Sequence, residues 1–175
     1  MAQIDIGFSG GTTEVDKLIQ TVSGAQQEDV THAFAMIYGR PFEALGIMAG
    51  DELYPQARFR PRDKYKGVAE VKYIRIDVPN MDALIDEAFK LDGTPYGYTD
   101  CISTGLKILF NADVLVDGTK TVMCAELIAR ILIAGGLDIC PELKPDQIAP
   151  IVLYRELLNK FNGQDVTDEY TEKEE

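Results

Sequence analysis

Three side chains of this 175-residue chain have the types that covalent thiol chemistry needs: Cys124, His32 and Glu43. Cys124 lies in Thr121-Val122-Met123-Cys124-Ala125-Glu126-Leu127-Ile128-Ala129-Arg130, where the apolar spacing predicts a helix that starts near Thr121 or Val122. A cysteine in a first helical turn sits among free amide groups at the positive end of the dipole, and both favour the thiolate. A nucleophilic cysteine also needs an imidazole to take its proton. The chain has a single histidine, in Asp29-Val30-Thr31-His32-Ala33-Phe34-Ala35-Met36-Ile37. Strand alternation puts Val30, His32, Phe34 and Met36 on one side and Thr31, Ala33, Ala35 and Ile37 on the other. Both sides are largely apolar, so the strand is expected inside a sheet, where a histidine needs a hydrogen-bond partner or a role. A third group should orient the imidazole. Glu43 follows a turn at Gly39-Arg40-Pro41, and hairpin pairing there predicts it level with residues near Ile37, on the strand beside His32 but offset from it. Each residue also has a plainer reading: Cys124 as a small buried hydrophobe, His32 as a core histidine tied to a carbonyl, Glu43 as a solvated carboxylate.

The elements that must position these groups are predicted as follows. A helix from Thr13 to about Ser23 buries Val15, Leu18, Ile19 and Val22, and Gly24 closes it. Val30 to Tyr38 and Phe42 to Ile47 form the hairpin, and Val68 to Val78 a further strand. Asn80 caps a helix running to about Leu91, with Leu84, Ile85, Ala88 and Phe89 as its apolar stripe. Helices over about Asp100 to Phe110 and Val122 to Ala134 follow, the latter stopped by Gly135-Gly136. Ile151 to Tyr154 reads as a short strand and Arg155 to Phe161 as a helical turn or two. The order predicts an α+β fold with a largely antiparallel sheet packed against helices. One domain is expected over residues 1–162, followed by an acidic, flexible tail over residues 163–175.

Lys and Arg number 17 against 29 Asp and Glu, a formal charge of −12, which argues against nucleic acid and anionic membrane as partners. No continuous apolar run approaches the roughly 18–20 residues of a membrane helix, and Met1 to Gly11 is polar and glycine-rich with no basic start, so a cytoplasmic, reducing setting is expected. Cys101, Cys124 and Cys140 stand in no metal-like spacing, so no metal or other cofactor is expected.

The chain order is a histidine strand, Glu-Ala on the next strand, Gly93-Thr94-Pro95-Tyr96-Gly97-Tyr98, and Cys124-Ala125-Glu126-Leu127 at a helix start. In this it resembles the circularly permuted branch of the NlpC-type papain-like cysteine hydrolases, the YiiX-like proteins. Lys144-Pro145-Asp146-Gln147-Ile148 extends the likeness, which spans about Ile4 to Pro150. The resemblance implies a permuted papain-like fold with Cys124 as nucleophile, His32 as general base, Glu43 as the polar third member, and Tyr96 or Tyr98 lining the substrate side. It also implies an amide substrate among peptides or amino-acid conjugates, such as cell-wall fragments or N-acyl amino acids. Ala125 stands where the family usually has serine, and Gly97 where an acidic residue is common.

Other candidates are weaker. Asp100-Cys101-Ile102-Ser103-Thr104-Gly105-Leu106 echoes the cysteine motif of unpermuted relatives, but those need a later histidine and the chain has none. Cys140, before Pro141, has no evident activator. Ser9-Gly10-Gly11-Thr12-Thr13 lacks the lysine of a phosphate loop and reads as a turn and cap. Arg58, Arg60, Arg62, Lys64 and Lys66 alternate along an extended stretch and read as a solvated loop, able at most to flank the cleft and attract a substrate carboxylate. Two further functions fit the same residues: an acyltransferase or lipid deacylase of the lecithin-retinol-acyltransferase-like type, and a catalytically silent binding module.

Overall fold

The computed structural model describes residues 1–10, 30–45, 56–68, 70–97 and 122–171. The helices expected over Thr13 to Ser23 and Asp100 to Phe110 lie outside these residues, as do Tyr98 and Cys101. The described residues form an α+β fold around one antiparallel sheet. Its strands are β1 (Ala2–Ser9), β2 (His32–Ile37), β3 (Arg40–Ala44), β4 (Ala57–Phe59), β5 (Val71–Val78) and β6 (Gln164–Asp165), in the order β4-β3-β2-β1-β5-β6. The helices are α1 (Met81–Leu91), α2 (Cys124–Ala134), α3 (Pro150–Asn159) and the short α4 (Thr167–Thr171), with a 3-10 turn at Pro145–Gln147.

Strand β1 sits in the middle of the sheet, although the polar, glycine-rich start of the chain carried no strand prediction. Its signal is alternation: Ile4, Ile6 and Phe8 are buried on the face shared with Ala33, Ala35 and Ile37 of β2. Helices α1, α2 and α3 bring Leu84, Ala88, Leu127, Ile128, Ile131, Leu153 and Leu157 into that same core. At tens of cal/mol per Å² of apolar surface removed from water, this layer is the main source of stability.

The opposite face carries Gly7, His32, Phe34, Met36 and Tyr73. A smaller cluster of Phe34, Val71, Tyr73 and Val166 forms there, with Met36, Tyr65 and Tyr170 packed against it. Gly7 pairs with Phe34 across the strands, and a Cβ at position 7 would lie 2.1 Å from the Phe34 Cζ. The ring therefore occupies space that only glycine leaves open.

Helix α1 begins as expected, with the Ala83 N–H donating to Asn80 Oδ1 at 3.1 Å. Two readings need correction. Ile151 to Tyr154 is helical, because Pro150 opens α3 at its first turn and the buried positions Ile151, Leu153 and Leu157 follow a helical face. The acidic stretch from Gly163, expected to be flexible, is folded as far as Thr171. Strand β6 pairs with Ile74 and Arg75, and Val166 is buried. Arg75 grips Asp5 at 2.7 and 2.9 Å and Glu169 at 3.0 and 2.9 Å, while the Tyr170 hydroxyl donates to Asp5 at 2.7 Å. A few anchoring side chains outweigh the composition of the segment.

Candidate active site

The β2–β3 hairpin closes through Tyr38 and Gly39, whose φ values are 52° and 69°. Two consecutive positive φ angles define the type I′ turn that matches strand twist. Ile37 therefore pairs with Arg40 and Ala35 with Phe42. The turn lies one residue earlier than the sequence suggested, and Glu43 comes level with Phe34 rather than near Ile37. It is then the diagonal neighbour of His32 on the same sheet face, within reach of a long side chain. His32 Nε2 lies 2.7 Å from Glu43 Oε2.

Glu43 has no solvent exposure. Oε2 also accepts from the Tyr65 hydroxyl, and Oε1 accepts from the Lys64 ammonium and lies 3.1 Å from Arg60 Nε. Arg60 is itself buried, donates to the Gln56 carbonyl at 3.4 Å, and its own carbonyl accepts from Arg40 Nε at 3.1 Å. The reading of the basic stretch as a solvated loop is thus corrected. Arg58, Arg62 and Lys66 are exposed, but Arg60 and Lys64 turn inward onto Glu43. Arg60, Lys64 and Tyr65 are the site residues that sequence reading missed. Their signal is long-range: β4 pairs with β3, Arg58 opposite Glu43, and so delivers the following residues to that carboxylate.

Cys124 is the first residue of α2, after Met123 as N-cap, and is buried. Glu126 turns back so that its Oε2 accepts the Met123 N–H at 3.1 Å, while Arg130 Nη2 donates to Oε1 at 2.6 Å. This is half of a capping box, and it fixes the backbone that carries the thiol. Burial raises the Glu126 pKa, with the Met123 N–H and Arg130 pulling the other way. Cys124 lies close enough to the His32 ring to act on its protonation, raising the imidazole pKa. Groups from β2, β3 and α2 are thus gathered around His32: Glu43 bonded to it, and Cys124 near enough to raise its pKa.

The electrostatics follow from these contacts. Burial lowers the His32 pKa, but hydrogen bonds and charge from Cys124 and Glu43 outweigh it and raise the imidazole from 6.5 to about 9. Burial alone would raise Glu43; His32 and then Lys64 hold it down at about 2, against an ordinary 4.5. Burial, then the Glu43 charge, pushes the Tyr65 phenol above its ordinary range, so its O–H remains a donor. An ionised carboxylate can only accept, so His32 Nε2 carries a proton, and Nδ1 is the nitrogen left for Cys124.

These shifts set a pH window. Glu43 contributes stability that is present above about pH 4.5 and lost as pH falls toward 2. His32 contributes stability that is fully present below 6.5 and lost as pH rises through about 9. Urea unfolding as a function of pH should show both limbs, and His32→Ala should flatten the alkaline one. An alkaline limb unchanged in that variant would remove His32 as its source.

Tyr96 is placed by its main chain. Ala57 N–H donates to Thr94 O at 2.8 Å, Val122 N–H to Pro95 O at 3.0 Å, and Gly97 N–H to Val122 O at 3.2 Å. The segment therefore ties β4 to the residue two before Cys124, and the half-buried Tyr96 side chain packs on the main core. Cys140 is buried, and burial, then Glu156 and Glu142, push its thiol up to about 11. Among the described residues no group of three or more His, Cys, Asp and Glu is gathered as metal ligands would be, and no helix is long and apolar enough to cross a membrane. No family model matches the chain, and no curated protein matches it.

Proposed function

We propose that this chain is a cysteine hydrolase that cleaves an amide bond in a peptide or amino-acid conjugate. The observation that carries the reading is the Cys124–His32–Glu43 group, assembled from three separate elements of the fold. His32 takes the thiol proton at Nδ1, and the sulfur attacks the substrate carbonyl carbon. The backbone N–H of Cys124, at a helix start where amides lack intrahelical acceptors, is suited to the developing oxyanion. The tetrahedral intermediate collapses as the imidazolium gives its proton to the leaving amine. Water, deprotonated by the same nitrogen, then attacks the thioester and releases the acid with the thiol restored.

A histidine strand that precedes the cysteine helix within an antiparallel sheet supports the permuted papain-like fold, and the amide substrate class follows from that likeness. Iodoacetamide tests the reading. Peptide mapping should find Cys124 alkylated at least about tenfold faster than Cys140 near neutral pH, with the excess lost in His32→Ala. Equal, slow labelling of every cysteine would overturn the enzyme and leave a silent module.

A further inference from the structure

We propose that Lys64 and Tyr65 are positioning residues: together with Arg60 they pin the Glu43 carboxylate so that His32 keeps its Nε2 proton and presents Nδ1 to Cys124. This deepens the hydrolase reading and rests on it only for its labelling readout.

Glu43 faces three hydrogen-bonding partners and the Arg60 guanidinium as an ion-pair partner, and they divide by oxygen. His32 and Tyr65 share Oε2, while Lys64 and Arg60 hold Oε1. Rotation of the carboxylate would break contacts on both sides at once, so its orientation is set from outside the Cys–His pair. The division also explains a carboxylate in a role that requires only one acceptor. Two cations on Oε1 demand a charged oxygen there, and an amide nitrogen would meet them donor against donor.

Tyr65 has a platform of its own. Its ring stacks on Phe34 with centroids 4.0 Å apart and planes at 2°, and Phe34 is seated over Gly7. The phenol is therefore held by packing from the sheet face that carries His32. Lys64 has about a quarter of its side chain open to solvent, and its ammonium also lies 5.0 Å from the centre of the Tyr65 ring. Adjacent residues thus deliver a charge and a hydroxyl to opposite oxygens of one carboxylate.

The single histidine makes the test direct, because its imidazole ¹⁵N resonances need no assignment. Above the His32 pKa, the wild-type ring should show the Nε2–H tautomer alone. The Lys64→Met/Tyr65→Phe double variant should show a mixture of tautomers and alkylate Cys124 about tenfold more slowly. Tyr65→Phe alone keeps the ring on Phe34 and should give a smaller change of the same kind. Lys64→Arg in place of Lys64→Met should bring the mixture back to that of Tyr65→Phe alone, which a purely structural role would not require. An unchanged tautomer in the folded Tyr65→Phe and double variants would overturn the proposal. Slow alkylation of Cys124 in the wild type would instead overturn the hydrolase while the tautomer measurement still decides the positioning role.

Discussion

Cys124→Ser is expected to lower turnover by about 10⁴-fold or more, since removing a covalent nucleophile eliminates the acyl-enzyme route. The substitution changes one atom and keeps a donor beside His32, so the loss reads chemistry rather than folding. Serine fails because its hydroxyl is far less acidic and far less nucleophilic than a thiol. Release of an aromatic amine from amino-acid arylamides gives the rate, and intact mass after a substrate pulse shows whether the acyl adduct forms. Comparable turnover in Cys124→Ser would remove the thiol from the mechanism. Turnover retained in that variant but lost in Cys101→Ser would transfer the role to the other candidate cysteine.

Glu43→Ala is expected to destabilise the fold by about 3–5 kcal/mol, the usual range when one partner of a buried ion pair is removed. Alanine leaves the Arg60 guanidinium, the Lys64 ammonium and His32 without their common acceptor, and Arg60 has almost no access to water. Lys64 can swing outward and recover solvation; Arg60 cannot without disturbing its bonds to Gln56 and Arg40. Glu43→Gln preserves shape but not charge and should recover only part of the loss. Urea unfolding near pH 6, inside the window where both titrating groups contribute, is the measurement. A change below about 1 kcal/mol would mean that the carboxylate is no anchor for the β4 side of the sheet.

The residues of the proposed machinery were legible because chemistry restricts them tightly. One histidine exists and lies in an apolar strand; two cysteines, Cys101 and Cys124, follow it at expected helix starts, and the Cys-Ala-Glu-Leu motif favours Cys124. The hairpin was legible too, but its register was not. Whether the turn uses Tyr38-Gly39 or Gly39-Arg40 depends on backbone angles that Tyr38 adopts at φ 52° and that its residue type does not announce. The clamp on Glu43 stayed hidden for another reason. Alternating arginines look alike in sequence, and only the β3–β4 pairing decides which turn inward. Composition misled at Gly163 onward, because Val166, Glu169 and Tyr170 are three residues in an otherwise polar run. At Ile151 a β-branched pair suggested a strand, while Pro150 was the stronger local signal for a helix start.

Gly7 and Phe34 share one volume between two positions, so position 7 cannot grow while the Phe34 ring keeps its place. A methyl group added on β1 must be matched by bulk surrendered on β2, and the phenol resting on that ring would then lose its seat. Through Tyr65 and Glu43, the proposed positioning of the imidazole then reaches back to a hydrogen atom on a strand with no chemical duty.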